Sequence, residues 1–345
     1  MDDTVMSVPL AVFYSMFFVL GLAGNLLAIW VFLFVHGKKN SVHVFLVNVA
    51  VADLLLIVCL PFRMVYHSRG NVWPLSGAFC KVVGNVFYMN MYISITLLGL
   101  ISVDRYIKIQ RASLGRKLRS STWSVVACGV IWTLSIAATI PMAMFSDDNE
   151  DPDKCFQYRK RQGAKGKAYF NCFLVALFWL VFLSLVVSYG KIAFKLLGSS
   201  REKPDLPNAQ RYSRTAKKSF FVLFLFTVCF VPYHAFRSFY IHSQIHEMPC
   251  SWISLMDRTN EVVLLFSTFN SCLDPVMYFL LSGSIRKATL QILNNVFHCK
   301  PNEDTSSSES RRPSMFPASS TPRPSAGLIS PLHCNQVVQS NLPMT

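Results

Sequence analysis

Ionisable side chains are costly in apolar surroundings, so those that interrupt long apolar runs mark function or a wet interior. In this chain they are Asp53, Arg63, Asp104, Arg105, His234, Arg237, Glu261 and Asp274. Arg63 and Arg237 carry guanidinium forks, which match carboxylate or phosphate oxygens better than an ammonium does. Tyr88 and Tyr92 add hydroxyl donors, His234 an imidazole, and Asn260 and Glu261 further polar groups. Arg63 and Arg237, with Arg258 or the run Arg159–Lys160–Arg161, would form a positive mouth for a small anionic ligand, the other polar groups lining it. The bland alternative is a satisfied core histidine, an arginine that snorkels outward, and a solvated loop cluster.

A second set offers only oxygens: Asp53, Ser94, Asn270 and Asp274. Two carboxylates cannot both stay ionised in low dielectric without a counter-charge. Either one is protonated or a cation sits between them, and a sodium ion suits such a set. No other cofactor is implied.

Phe226, Phe230, His234 and Arg237 are spaced four, four and three, which places them on one helical face. That face runs from aromatic to basic. Pro232 lies within it; a proline there removes one backbone donor, frees the Val228 carbonyl and bends the helix.

The elements that must hold these residues are membrane helices. The 345 residues are 52% hydrophobic and only 15% charged. An ordinary soluble domain is roughly 45–50% apolar and about 25% charged. Apolar spans long enough to cross a bilayer lie at 10–35, 43–67, 78–103, 122–145, 169–195, 219–242 and 253–281. Lipid leaves no water for unpaired backbone groups, so an all-α seven-helix bundle is the fold class. Lys and Arg gather in the connections after the first, third and fifth spans and in the tail. The positive-inside rule then puts the N-terminus outside and the C-terminus in the cytoplasm. The net charge of +15 is mostly an effect of the cytoplasmic face, with no module for nucleic acid.

The resulting organisation is an extracellular N-terminus at 1–9, a transmembrane domain at 10–281, an amphipathic helix at 282–298 and a tail at 299–345. The tail is rich in Ser, Thr and Pro, a composition that cannot bury enough apolar surface to fold alone. Cys80 and Cys155 both face the oxidising side, which predicts a disulfide between them. Cys250 has no obvious partner, and Cys299 suits palmitoylation.

Several short motifs occur in order: GLAGN at 21–25, NVAVAD at 48–53, WPLSG at 73–77 ahead of Cys80, DRY at 104–106, CFVP at 229–232 and DPVMY at 274–278. With Trp132 and Tyr189, they resemble the rhodopsin-like (class A) G-protein-coupled receptors over residues 10 to about 298. FTVCFVPYHAFR at 226–237, CLPFRMVYH at 59–67 and FNSCLDPVMYFL at 269–280 are similar to the purinergic-like branch that binds nucleotides and lysophospholipids. Within it the match is nearest to the lysophosphatidylserine-receptor type. Phe230, Asp274 and Val181 stand where many class A receptors have Trp, Asn and Pro.

The resemblance implies a multi-pass plasma-membrane receptor, not an enzyme. It implies a small anionic ligand, lysophosphatidylserine or a related lysophospholipid, with a nucleotide as the alternative. Movement would start at Phe226 and Phe230, turn about Pro232, rearrange Asp53 and Asp274, and part Arg105 from Asp104. Arg105, Tyr106, Tyr189 and Tyr278 would then engage a heterotrimeric G protein, and the Ser/Thr-rich tail would serve receptor kinases and arrestin. Two other classes compete less well. A transporter or channel lacks its internal repeat here, and an intramembrane hydrolase would need Asp53 and Asp274 as a catalytic pair.

Overall fold

The computed structural model describes residues 4–35, 41–113, 122–144, 154–158, 165–202, 209–281, 286–287 and 289–291. Every long element is a helix: α1 (Thr4–Trp30, continued by a π-helical turn, Val31–Val35), α2 (Ser41–Ser68), α3 (Gly77–Ser113), α4 (Thr122–Met144), α5 (Lys165–Glu202), α6 (Ala209–Ile245) and α7 (Cys250–Leu281). All 7 are long and apolar enough to cross a membrane. They correspond one to one with the spans read from hydropathy.

The ends differ, for a physical reason. α1 already begins at Thr4, so most of the expected N-terminal segment 1–9 is helical. α3, α5 and α6 overrun their apolar windows into polar sequence. Hydropathy reports the lipid-crossing length, whereas a helix continues for as long as its backbone bonds are made. The expected amphipathic helix at 282–298 lies largely outside the described residues, as do the tail, Cys299 and Arg159–Lys160–Arg161.

The bundle closes on itself: α1 packs on α2 and α7, α6 on α5 and α7, and α3 on α2, α4 and α5. Burial separates the core helix from the rim. In α3, 61% of the apolar window is buried; in α4, 6% is. The outward apolar side chains, such as Val126, Leu134, Phe173 and Leu180, are what a bilayer solvates.

Lipid tails are as apolar as leucine, so helix association needs close packing and interhelical hydrogen bonds. Both are present. A Cβ on Gly24 would come 2.9 Å from Pro275 Cγ, and one on Gly99 2.6 Å from Val181 Cγ1. Asn25 donates to the Ser271 carbonyl across to α7 at 2.8 Å, and Trp132 Nε1 donates to Asn48 Oδ1 at 3.0 Å. The GLAGN and NVAVAD motifs therefore stitch helices together.

The α2–α3 connection shapes one end of the bundle. Asn71 N–H reaches the Tyr66 carbonyl and Gly70 N–H the His67 carbonyl, with both residues at positive φ, as in a Schellman stop. Ser76 Oγ then caps α3 by accepting from Phe79 N–H. Cys80 is bonded to Cys155, as predicted, beside a cluster of Tyr66, Trp73 and Phe156. We call this the disulfide end.

Candidate functional site

Two buried arginines dominate the interior near the disulfide end. Arg63 is 1% exposed. Its Nη1 meets Glu261 Oε2 at 3.1 Å and the Tyr14 hydroxyl at 3.3 Å, and that hydroxyl also reaches Glu261. His67 Nε2 stands 3.6 Å from the same carboxylate. Phe87 and Phe156 cover the guanidinium at 4.5 and 4.4 Å. Arg63 is thus buried near the disulfide end, with its charge already matched by Glu261 of α7.

Arg237 is equally deep and differently furnished. Nη1 donates to Asn260 Oδ1 at 3.2 Å and Nη2 to Asn171 Oδ1 at 3.1 Å. Tyr240, Tyr233 and Tyr88 surround it at 4.8, 5.7 and 5.8 Å. Among the described residues no carboxylate pairs with it. An isolated buried cation is costly, so this arrangement holds a positive charge that an incoming anion can satisfy. Tyr88 is within electrostatic reach of Arg63 as well as of Arg237.

His234 lies one turn deeper on α6. Its Nδ1 bonds the Phe230 carbonyl at 2.8 Å, and the ring stacks on Phe178 at 3.7 Å with Tyr92 edge-on at 5.6 Å. Nε2 is buried without a partner. Phe226 and Phe230 follow below, 4.9 Å apart, and Phe178 and Phe182 of α5 stack on Phe226. The predicted stripe Phe226, Phe230, His234, Arg237 is therefore one buried face. Pro232 lies inside a continuous α6, and Ser267 Oγ of α7 donates to the neighbouring Cys229 carbonyl at 3.2 Å.

Arg258 stands on the Arg63 flank of the site, beside His67 and Glu261. It lines a cavity of about 50 Å³ with Ser7, His67, Asn71, Asp257 and Glu261. Residues that the sequence reading missed are Tyr14, Asn171, Phe178, Tyr233 and Tyr240. Tyr240 had a usable signal, three residues after Arg237 on the same face. Asn171 interrupts an apolar span and was equally visible.

The oxygen-rich set is assembled as read. Ser94 Oγ donates to Asp53 Oδ1 at 3.4 Å, Asn270 Nδ2 donates to Asp274 Oδ2 at 2.8 Å, and the two carboxylates face each other. Asp53 Oδ2, Asn270 Oδ1 and Asp274 Oδ1 are buried with no hydrogen-bond partner. Three orphaned oxygens from α2 and α7 fit a small hard cation.

At the far end, one expectation needs correction. Asp104 pairs with Lys108 one turn on, at 2.6 Å, and not with Arg105. Adjacent helical residues point apart, whereas i and i+4 share a face. Arg105 instead exerts its charge on the buried Tyr189 of α5 and on Lys218 of α6. Burial, then the Arg286 and Arg105 cations, hold the Lys218 ammonium below the usual lysine range. Lys191 faces the Tyr106 ring at 5.7 Å, and Tyr278 is buried against Phe32 at 5.5 Å. This end is a cationic surface.

Seven spanning helices around a charged, polar interior, with a disulfide-pinned end and a cationic end, define a seven-helix membrane receptor. The family described as "7 transmembrane receptor (rhodopsin family)" matches residues 24–278, and the chain belongs to it. A Mus musculus protein named "Probable G-protein coupled receptor 34" is 49% identical over 311 residues, 90% of this chain and 83% of its own length. The Homo sapiens "Uracil nucleotide/cysteinyl leukotriene receptor" is 33% identical over 287 residues, 82% of this chain and 76% of its own. A purinoceptor of Bos taurus is 30% identical over 307 residues, covering 88% and 90%. The chain is accordingly a class A G-protein-coupled receptor of the purinergic-like branch. It is a multi-pass protein of the plasma membrane and a receptor rather than an enzyme, with a ligand and a G protein as partners.

Proposed function

We propose that this receptor answers to a lysophospholipid with an anionic head group, with lysophosphatidylserine the best chemical fit. The observation that carries the reading is Arg237: a buried guanidinium with two amide oxygens, three tyrosine rings and, among the described residues, no carboxylate. A phosphate or carboxylate would complete it. The Arg63–Glu261 pair adds a carboxylate that a head-group ammonium can approach. A head group bearing both signs therefore suits the region better than a purely anionic one. Below, Phe178, Phe182, Phe226 and Phe230 form a closely packed aromatic face that an acyl chain, worth ~0.8 kcal/mol per buried CH₂, would have to part in order to lie along it. A nucleotide is the second reading, favoured by the two relatives named as a uracil nucleotide receptor and a purinoceptor.

The disulfide end is the extracellular face in this reading, as positive-inside and the oxidised Cys80–Cys155 bond both support. Ligand on Arg237 and His234 biases the aromatic face of α6, whose cytoplasmic half then swings outward about Pro232. Arg105, Tyr106, Tyr189 and Tyr278 meet a heterotrimeric G protein at the cationic end, with kinases and arrestin acting on the tail. Asp53, Ser94, Asn270 and Asp274 would hold a sodium ion, which neutralises the paired carboxylates when bound. The ligand must favour the active state; a hundredfold preference is about 2.7 kcal/mol.

The test is a signalling assay in cells over a lysophospholipid panel and a nucleotide panel, for wild type and Arg237→Ala. Activation by lysophosphatidylserine that Arg237→Ala abolishes supports the reading. Activation by a nucleotide diphosphate alone replaces the ligand, and unchanged potency in Arg237→Ala removes the site.

A further inference from the structure

The end of α6, with His242 in its last turn and His246 just beyond Ile245, carries a feature that the ligand site does not use. His242 and His246 are both exposed, and their rings lie 4.3 Å apart between centres at a 39° tilt. They are one turn apart on one face, the i and i+4 spacing with which a helix presents two imidazoles to one metal. Two nitrogens bound at ~2.0–2.1 Å to a tetrahedral ion stand about 3.3 Å apart, a span that rings this close reach by small side-chain rotations. We propose that His242 and His246 form a bidentate site for a divalent transition-metal ion such as Zn²⁺, Ni²⁺ or Cu²⁺.

The surroundings favour a cation. α6 ends at Ile245, so the site sits on the negative end of a helix dipole. Glu247 follows immediately and is exposed. Among the described residues no third His, Cys, Asp or Glu completes a cluster, so the remaining positions on the ion are open to water. Such a site binds and exchanges its metal reversibly; it is not a closed structural centre.

The position gives the metal something to control. The Ser243 carbonyl, between the two histidines, accepts from the Tyr158 hydroxyl, and Tyr158 packs edge-on against Tyr240 at 5.4 Å. Tyr240 in turn lies 4.8 Å from Arg237. An ion bridging His242 and His246 would stiffen the turn that Tyr158 and Tyr240 link to Arg237. The binding itself depends only on the two imidazoles, so it stands or falls apart from the ligand assignment.

The experiment uses the full-length receptor in lipid nanodiscs, purified through a histidine-free tag, and titrated calorimetrically with NiCl₂ and with ZnCl₂. Wild type should bind both, and EDTA should reverse the binding. MgCl₂ and CaCl₂ should bind nothing here, since they prefer oxygen ligands. His242→Ala and His246→Ala should each weaken binding roughly tenfold or more, as one of two metal bonds is lost. His246→Cys should recover Zn²⁺ binding, because a thiolate replaces the imidazole. Hydrogen exchange at residues 240–246 should slow with Zn²⁺ in wild type only. Zn²⁺ binding that persists unchanged in the double alanine variant, or no binding in wild type, overturns the proposal; slowed exchange elsewhere but not in this turn does the same.

Discussion

Arg63 and Arg237 are both buried arginines near the same end of the bundle, and they are built to opposite ends. Arg63 is 1% exposed and Arg237 7%, so burial does not distinguish them. Partners do. Arg63 has a carboxylate at 3.1 Å, a tyrosine hydroxyl and two phenylalanine rings at 4.4 and 4.5 Å. Arg237 has amide oxygens and tyrosine rings. A matched buried pair is a structural joint, here between α2 and α7. An unmatched buried cation suits an anion that arrives from outside. A positive cluster in a sequence is thus a poor guide to a binding site until its counter-ions are known.

The largest expected effect tests the joint. Glu261→Gln leaves the Arg63 cation buried with no counter-charge, a loss of ~3–5 kcal/mol in stability. Surface expression should collapse. Arg63→Met combined with Glu261→Gln should restore much of it, since a neutral, apolar replacement removes the stranded charge. Full expression of Glu261→Gln would remove the strut and leave Glu261 only its contact with the head-group ammonium.

Arg237→Ala probes the other side. Removing a buried charge partner costs ~2–5 kcal/mol of affinity, roughly 30- to 5,000-fold in potency, with expression held. Arg237→Lys should recover only part, because an ammonium cannot span Asn260, Asn171 and an anion with one rigid fork. A dose–response curve normalised to surface expression reads both. Equal potency in Arg237→Ala would erase the contrast between the two arginines.

Cys80→Ser comes next, at ~2–4 kcal/mol of stability. The bond joins positions 75 apart and holds the segment whose Phe156 covers Arg63 at 4.4 Å. The loss should therefore resemble Glu261→Gln, in reduced expression, more than Arg237→Ala. A variant with full expression and reduced potency would tie the segment to the ligand pocket instead.

How legible all this was in the sequence follows from the range of each interaction. Span number, the α6 stripe from Phe226 to Arg237, and the oxygen set at Asp53 and Asp274 rest on helical period and depth, which the chain displays locally. The Arg63–Glu261 pair joins positions 198 apart, and depth alone cannot say which helix an arginine will face. Asn171 is visible as a polar break in an apolar span, but at 66 residues from Arg237 its partner is not. Asp104 is the opposite case. Its partner Lys108 is one turn away, a spacing the sequence displays directly. Arg258 lines a cavity together with His67 and Glu261, on the Arg63 side of the site.

The smallest effects give the sharpest contrast, because they remove one contact from each arginine without removing the charge. Tyr14→Phe takes a hydroxyl that bridges Arg63 and Glu261 at 3.3 Å each. Asn171→Ala takes one amide oxygen from Arg237 at 3.1 Å. Hydrogen bonds to charged groups contribute about 1.5–3 kcal/mol each, and the lower part of that range applies where other partners remain. Tyr14→Phe should lower the thermal midpoint of the purified receptor and leave potency within about threefold, ~0.7 kcal/mol. Asn171→Ala should do the reverse, with potency down roughly tenfold and the midpoint little changed. The reversal is the point: one arginine commits its contacts to the fold, the other to what the fold awaits. If both substitutions move stability and neither moves potency, Arg237 is a second strut, and the anion must dock elsewhere.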